Sequence, residues 1–179
     1  MKKITVAFLF FIVLSACNNS EAKKTALPTT TKTDTSAVPF SLNLSGSAFK
    51  YNSNTTKTFF YTVNGLGDIN YTIANSFYVM VIDLKNNFEK RKAYAKAAVE
   101  KFKVRGFTIT EVAEKEIKIN DDDAYEICFT GAYENKTIKF YLVVVGNYKV
   151  DLLFCGTAVS NFDGTIQEFK QIAQTLHAK

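Results

Sequence analysis

Residues 106–157 read GFTITEVAEKEIKINDDDAYEICFTGAYENKTIKFYLVVVGNYKVDLLFCGT. Four β-rich runs lie in it, Phe107–Glu116, Tyr125–Gly131, Thr137–Val145 and Tyr148–Cys155, separated by turn-forming residues. That order predicts an antiparallel meander. Pairing Phe129 with Phe140 and Ile127 with Leu142 leaves Glu134-Asn135 as a two-residue turn. Pairing Val144 with Tyr148 leaves Val145-Gly146-Asn147 as a three-residue loop, with Asn147 able to take a positive φ. One face then carries Tyr125, Ile127 and Phe129; Ile138, Phe140, Leu142 and Val144; and Tyr148, Val150, Leu152 and Phe154. A face that is apolar throughout is a core face. The reverse face mixes Tyr141, Val143, Val145, Leu153, Cys128 and Cys155 with Glu126, Lys139, Lys149 and Asp151, so partial cover is expected there.

Upstream of the meander the period changes. Phe88, Ala95, Val99 and Phe102 recur at helical spacing among Lys, Arg and Glu; Asn86 or Asn87 can cap the start, and Gly106 can end the helix in the left-handed region. Before it, Ser76–Leu84 (SFYVMVIDL) reads as a buried strand. Lys57–Val63 (KTFFYTV) runs into Asn64-Gly65, a tight-turn pair, and predicts a hairpin with Asp68–Ala74. Phe40–Tyr51 is sparse and allows one strand. Downstream, Phe162, Ile166, Phe169, Ile172 and Leu176 predict a closing helix over about Asn161–His177. The fold class is α+β, an antiparallel sheet flanked by helices.

Strand, amphipathic helix, long meander and closing helix, from YTIANSFYVMVIDL at Tyr71 to FDGTIQEFKQIAQTL ending at Leu176, resemble the PsbP/Mog1-type α-β-α sandwich, including its DcrB-like bacterial lipoproteins. The resemblance covers about two-thirds of residues 17–179. It implies binding or assembly-accessory roles, and it carries no catalytic signature to transfer residue by residue.

Composition narrows the chemistry. The 179 residues hold one His and no Trp, against nine Tyr and sixteen Phe. With a single His, near the C-terminus at His177, the Ser-His-Asp, Cys-His and His-based zinc arrangements are unavailable. Asp121-Asp122-Asp123 lacks the alternate spacing of a calcium loop and reads as a turn. Gly65-Leu66-Gly67 has no third Gly and no helix after it, so it too is a turn. Neither metal nor cofactor is expected. The aromatics suit a core or a lined pocket.

The N-terminus supplies an address. Lys2 and Lys3 precede Ile4–Leu14, a run that is apolar except for Thr5. Eleven helical residues rise about 16 Å, short of the roughly 30 Å hydrocarbon core, so the run reads as a secretory signal. Leu14-Ser15-Ala16-Cys17 resembles the lipobox of bacterial lipoproteins, which implies cleavage after residue 16 and acylation of Cys17. Asn18 is not the Asp that retains enteric lipoproteins at the inner membrane, and the sequence does not choose between inner and outer membrane. Asn18–Pro39 has no aromatic residue, six Thr and two Pro, the composition of a flexible tether. The expected organisation is therefore a signal peptide at 1–16, lipidated Cys17 and tether at 17–39, and a domain at 40–179.

Charge picks out one helix. Residues 85–105 hold eight cations against Glu89 and Glu100, a net +6, although the whole chain is only +5. Lys92, Lys96 and Lys103 lie off the apolar stripe and are expected to point outward. With Lys90 they form a candidate contact for an anionic surface or a protein partner; a solvated face is the bland alternative. Cys128 and Cys155 are expected on one face, two strand spacings or about 9.6 Å apart. That exceeds the roughly 6.8 Å reach of a disulfide, so both thiols should be free.

The functional expectation is a lipid-anchored, non-enzymatic envelope accessory protein. It would join the membrane through Cys17 and bind an envelope partner, with no nucleic-acid role. The alternatives are a periplasmic small-ligand binder with an aromatic-lined cleft between sheet and longer helix, and a hydrolase lacking His.

Overall fold

The computed structural model describes residues 38–67, 74–147 and 149–179. The signal segment, Cys17 and nearly all of the tether lie outside the described residues, as does the strand expected at Asp68–Ala74, save Ala74. The elements are β1 (Phe40–Ser41), β2 (Phe49–Asn54), β3 (Thr58–Val63), β4 (Ser76–Ile82), α1 (Phe88–Val104), β5 (Thr108–Ile119), β6 (Asp122–Tyr133), β7 (Lys136–Gly146), β8 (Asp151–Ala158), α2 (Phe162–Ala173) and β9 (His177–Ala178). Seven strands form one sheet in the order β2-β3-β4-β8-β7-β6-β5, and every neighbouring pair in it is antiparallel. α1 covers one face, with Ala95, Val99 and Phe102 packed against Ile127, Phe140 and Leu142. α2, β1 and β9 cover the other, where Phe169 and Ile172 meet Phe77, Val143 and Phe154. This is the expected α+β sandwich, an antiparallel sheet between helices.

Local chemistry explains most of the meander. Asn120-Asp121 and Glu134-Asn135 take positive φ at both positions (49° and 68°, 46° and 62°), the twist that two-residue hairpins require. Ile127 faces Leu142 and Phe129 faces Phe140, as the sequence predicts. The next pairing differs. Val144 faces Leu153 instead of Tyr148, and Gly146 faces Asp151. A five-residue displacement is odd, so every β8 side chain changes face. Leu152 and Phe154 turn to the α2 side with Val150, while Leu153 and Cys155 join the α1 core. β8 is buried along its whole length at the centre of the sheet, so its apolar run has no polar alternation to set a register. Asn147 makes the connection longer than expected by accepting the backbone N–H groups of Lys149 and Val150.

The same flip separates the cysteines. Cys128 packs on the α2 side and Cys155 in the α1 core, and both are free thiols. The expectation of free thiols holds, but the shared face it rested on does not.

Three other boundaries move. Asn64-Gly65 is a turn (φ 57° and 70°), yet the sheet partners of β3 are β2 and β4, so the turn does not close a tight hairpin in this sheet. It packs onto β2, where Asn52 Nδ2 donates to the Gly65 and Gly67 carbonyls. Phe40–Tyr51 splits into β1 and β2 around Gly46, which takes φ 79°. α2 stops at Ala173, and Thr175 Oγ1 donates back to the Ile172 carbonyl at 2.7 Å. His177 therefore belongs to β9, paired with Ser41 of β1, and not to a final helical turn.

Candidate functional site

The basic helix begins at Asn87, whose side chain accepts the Lys90 N–H, and ends before Gly106 at φ 90°. Its buried stripe holds Ala95, Ala98, Val99 and Phe102, while Phe88 is half-buried. The expected contact residues divide into two groups. Lys90 is exposed at the start of the helix. Lys92, Lys96 and Lys103 each meet a carboxylate: Glu116 at 2.8 Å, Glu114 at 2.9 Å and Glu100 at 2.6 Å. Lys92 is turned toward the sheet and only 27% exposed, so it does not point outward.

The match between α1 and β5 is geometric. Lys92 and Lys96 sit four residues apart on a helix, a rise of about 6 Å. Glu116 and Glu114 sit two apart on a strand, about 6.7 Å. Two lysines on one helix face thus meet two glutamates on one strand face. Tyr125 lies beneath them, with the two ammonium groups 5.6 and 5.8 Å from its ring centre and its hydroxyl donating to Glu114. That hydroxyl and Lys96 hold the Glu114 carboxyl below the usual range. Burial, then the neighbouring carboxylate, pushes the Tyr125 phenol up. Glu116 and Glu114 raise the lysines beside them. Sequence reading isolates the cations of α1 because they crowd one short segment. The glutamates that answer them lie in a strand balanced by its own Lys115 and Lys118.

Arg91 stands apart from these lysines. It stands among the eight cations of this segment, but its side chain is 3% exposed. Nε donates to Asp151 Oδ1 at 2.7 Å, Nη1 to the Asp123 carbonyl and Nη2 to Asn86 Oδ1. The second Asp151 oxygen accepts the Leu84 N–H at 2.9 Å. The β8 flip makes this possible, because it turns Asp151 from the mixed face toward α1. Lys85 and Asn86 hold left-handed φ (58° and 48°) in the loop that wraps the pair.

Between α1 and β5 lies a groove of about 260 Å³, with Lys96 and Lys103 on one wall, Val112 and Glu114 on the other, and Val99 and Ile127 at its base. No aromatic residue lines this groove. The rings pack instead within the cores, as in Phe129–Phe140 at 4.7 Å and Phe77–Phe154 at 4.6 Å. Among the described residues no group of three His, Cys, Asp or Glu is placed to hold a metal. Asn120-Asp121 closes the β5–β6 hairpin, and Lys118 reaches Asp123 at 3.0 Å.

Fold and surface together define an α+β sandwich with one densely ion-paired exterior face. No protein-family model matches the chain, and no curated protein does. Solved structures do. A Bacteroides thetaiotaomicron protein aligns with 79% of this chain at 14% identity and a TM-score of 0.51; the match spans 45% of that longer protein. Cyanobacterial PsbP from Synechocystis aligns at 12% identity and a TM-score of 0.45, covering 74% of this chain and 93% of that one. LpqN of Mycobacterium tuberculosis, described as involved in cell envelope biogenesis, aligns at 10% identity and 0.43, covering 77% and 83%. At these identities the likeness concerns the fold.

Proposed function

We propose that the chain is a lipid-anchored cell-envelope protein that acts by binding and not by catalysis. The observation that carries this is Leu14-Ser15-Ala16-Cys17 placed behind Lys2, Lys3 and a short apolar run. Cleavage before Cys17 and its acylation leave an anchor whose buried methylenes contribute about 0.8 kcal/mol each, so two or three chains hold the domain stably. No described helix is long and apolar enough to cross a membrane, so attachment in this reading rests on the acylated cysteine. In this reading the 22 residues from Asn18 to Pro39, none of them aromatic, join the anchor to the domain. On the same reading the exposed side of α1, with Lys90 in its first turn and Lys101 in its last, supplies the cations for an anionic surface or an acidic envelope partner. Lys92, Lys96 and Lys103 are partly neutralised by their own carboxylates.

The test is membrane fractionation of the full chain beside its Cys17→Ala variant. The wild type should stay with membranes through a high-salt wash, and the variant should accumulate as an unprocessed precursor with no incorporated palmitate. Equal palmitate labelling of the two would overturn the reading.

A further inference from the structure

The face of the sheet opposite α1 is only partly roofed. α2 is twelve residues long and packs chiefly on β7 and β8, so it covers β6 only in part and leaves the edge strand β5 beside it. A half-open cavity of about 240 Å³ lies in that gap. Its floor is Cys128 and Thr130 of β6 with Lys139 of β7; its walls are Asp163, Ile166, Gln167 and Lys170 of α2 and Glu111 of β5.

Glu111 is there because the backbone puts it there. β5 carries a bulge between Thr110 and Ala113, and Glu111 sits in it at φ 52°, a conformation that residues with a Cβ rarely adopt. Bulges re-aim side chains, and this one brings the Glu111 carboxylate over Thr130, whose Oγ1 donates to it at 2.7 Å. No ion pair ties Glu111 to a cation among the described residues. The cations opposite are loosely engaged: Lys139 stands 3.4 Å from Asp163, itself 98% exposed, and Lys170 stands 3.6 Å from Glu126. Most lysine pairs of the α1 face close to 2.6–2.9 Å. The site therefore offers one carboxylate without a cation on one wall and two weakly held ammonium groups across from it.

We infer that this cavity binds a small zwitterion, an amino acid or a dipeptide, with its ammonium at Glu111 and its carboxylate between Lys139 and Lys170. Size selects the class. Cofactor and drug-sized pockets run from about 300 to 1,000 Å³, whereas this one holds about 240 Å³. Sign selects the orientation: exposed Glu111 attracts the ammonium end, and Lys139 and Lys170 attract the carboxylate end. The inference is independent of the lipid anchor, since the anchor concerns Cys17 and the cavity lies wholly within the folded domain.

Cys128 gives a local readout, because it lines the cavity while Cys155 is buried on the other face. The full-length protein in detergent is alkylated slowly at mildly alkaline pH with and without 10 mM alanyl-alanine, and the rate at each cysteine is read by peptide mass spectrometry. The dipeptide should slow Cys128 at least fivefold and leave the other cysteines unchanged. N-acetylated and C-amidated alanyl-alanine should protect weakly or not at all, and Glu111→Gln and Lys170→Gln should each remove most of the protection. An unchanged Cys128 rate overturns the inference. Equal protection by the acetylated dipeptide also overturns it, by reducing the cavity to an anion site.

Discussion

The two faces of the central sheet are fastened by different chemistry. Beneath α1 the fixed point is ionic: Arg91 and Asp151, both almost wholly buried, tie the helix to β8, to the loop after β4 and to the carbonyl of Asp123. Beneath α2 the fixed point is aromatic. Phe154 stacks on Phe77 at 4.6 Å, and Phe169 sits so close to Gly156 that an added Cβ would fall 2.4 Å from its ring. β8 contributes to both faces, and its Leu152, Leu153 and Phe154 would be at home on either. Apolar burial is non-directional. A buried carboxylate is not, because it must meet its guanidinium. The contrast teaches that area holds this sheet together while one polar contact selects the register of its central strand.

The largest expected effect comes from breaking that contact. Asp151→Ala should cost about 3–5 kcal/mol of unfolding free energy in a denaturant titration, because it leaves Arg91 buried without its partner. The double change Arg91→Met with Asp151→Leu should recover much of that loss, since an apolar pair needs no compensating charge. A single-variant cost under 1 kcal/mol would remove the ion pair from the account. On the aromatic side, Gly156→Ala should cost about 1–3 kcal/mol by overpacking against Phe169, and Phe169→Leu in the same chain should relieve part of it. If the second change adds a full further penalty, the two positions do not share one site.

A milder probe reads the faces themselves. In the native protein Cys128 should alkylate and Cys155 should not, and both should react once the chain is denatured without reductant. Burial raises both thiols, with Cys155 pushed up to about 12, so the native reaction at Cys128 is slow as well as selective. A pair that resists alkylation under denaturing, non-reducing conditions would reveal a disulfide and contradict the strand order.

The smallest effect belongs to the ion pairs outside the core. Glu114 is held below its ordinary value of 4.5, first by the Tyr125 hydroxyl and then by Lys96. A lowered carboxyl stabilises the fold above its unfolded pKa and loses that contribution as pH falls through the folded one. Glu114→Gln should therefore flatten the decline in melting temperature below about pH 4.5 and change little at pH 7 in 1 M salt, where screening acts over about 3 Å. An unchanged acid limb would show that the carboxylate contributes nothing there.

The parts of the fold legible in the sequence are those with a short-range physical signature. Glu134-Asn135 specifies its hairpin, and the β6–β7 register follows from it. Asn87, the apolar stripe and Gly106 define α1 at both ends. The β7–β8 register was not legible, because Val150–Cys155 offers apolar residues to both faces and the deciding partner, Arg91, lies 60 residues away. The same distance keeps the sequence from separating Arg91 from the other cations of its segment. β9 escaped because Leu176 continues the spacing of α2 although the chain has already left the helix to pair with β1. At the candidate site, the lysines of α1 were visible as a charge cluster. Glu114 and Glu116 were not, since only the fold brings β5 alongside the helix.

In the proposed function the domain hangs from an acylated Cys17. The most direct measurement is the intact mass of the mature protein extracted from cell membranes. The expected species lacks residues 1–16, carries two or three acyl chains on Cys17, and yields an N-terminal peptide that loses the mass of its ester-linked acyl chains on mild alkaline hydrolysis while staying heavier than the unmodified peptide. A mature chain beginning elsewhere, or one retaining residues 1–16 with a free Cys17 thiol, would contradict it.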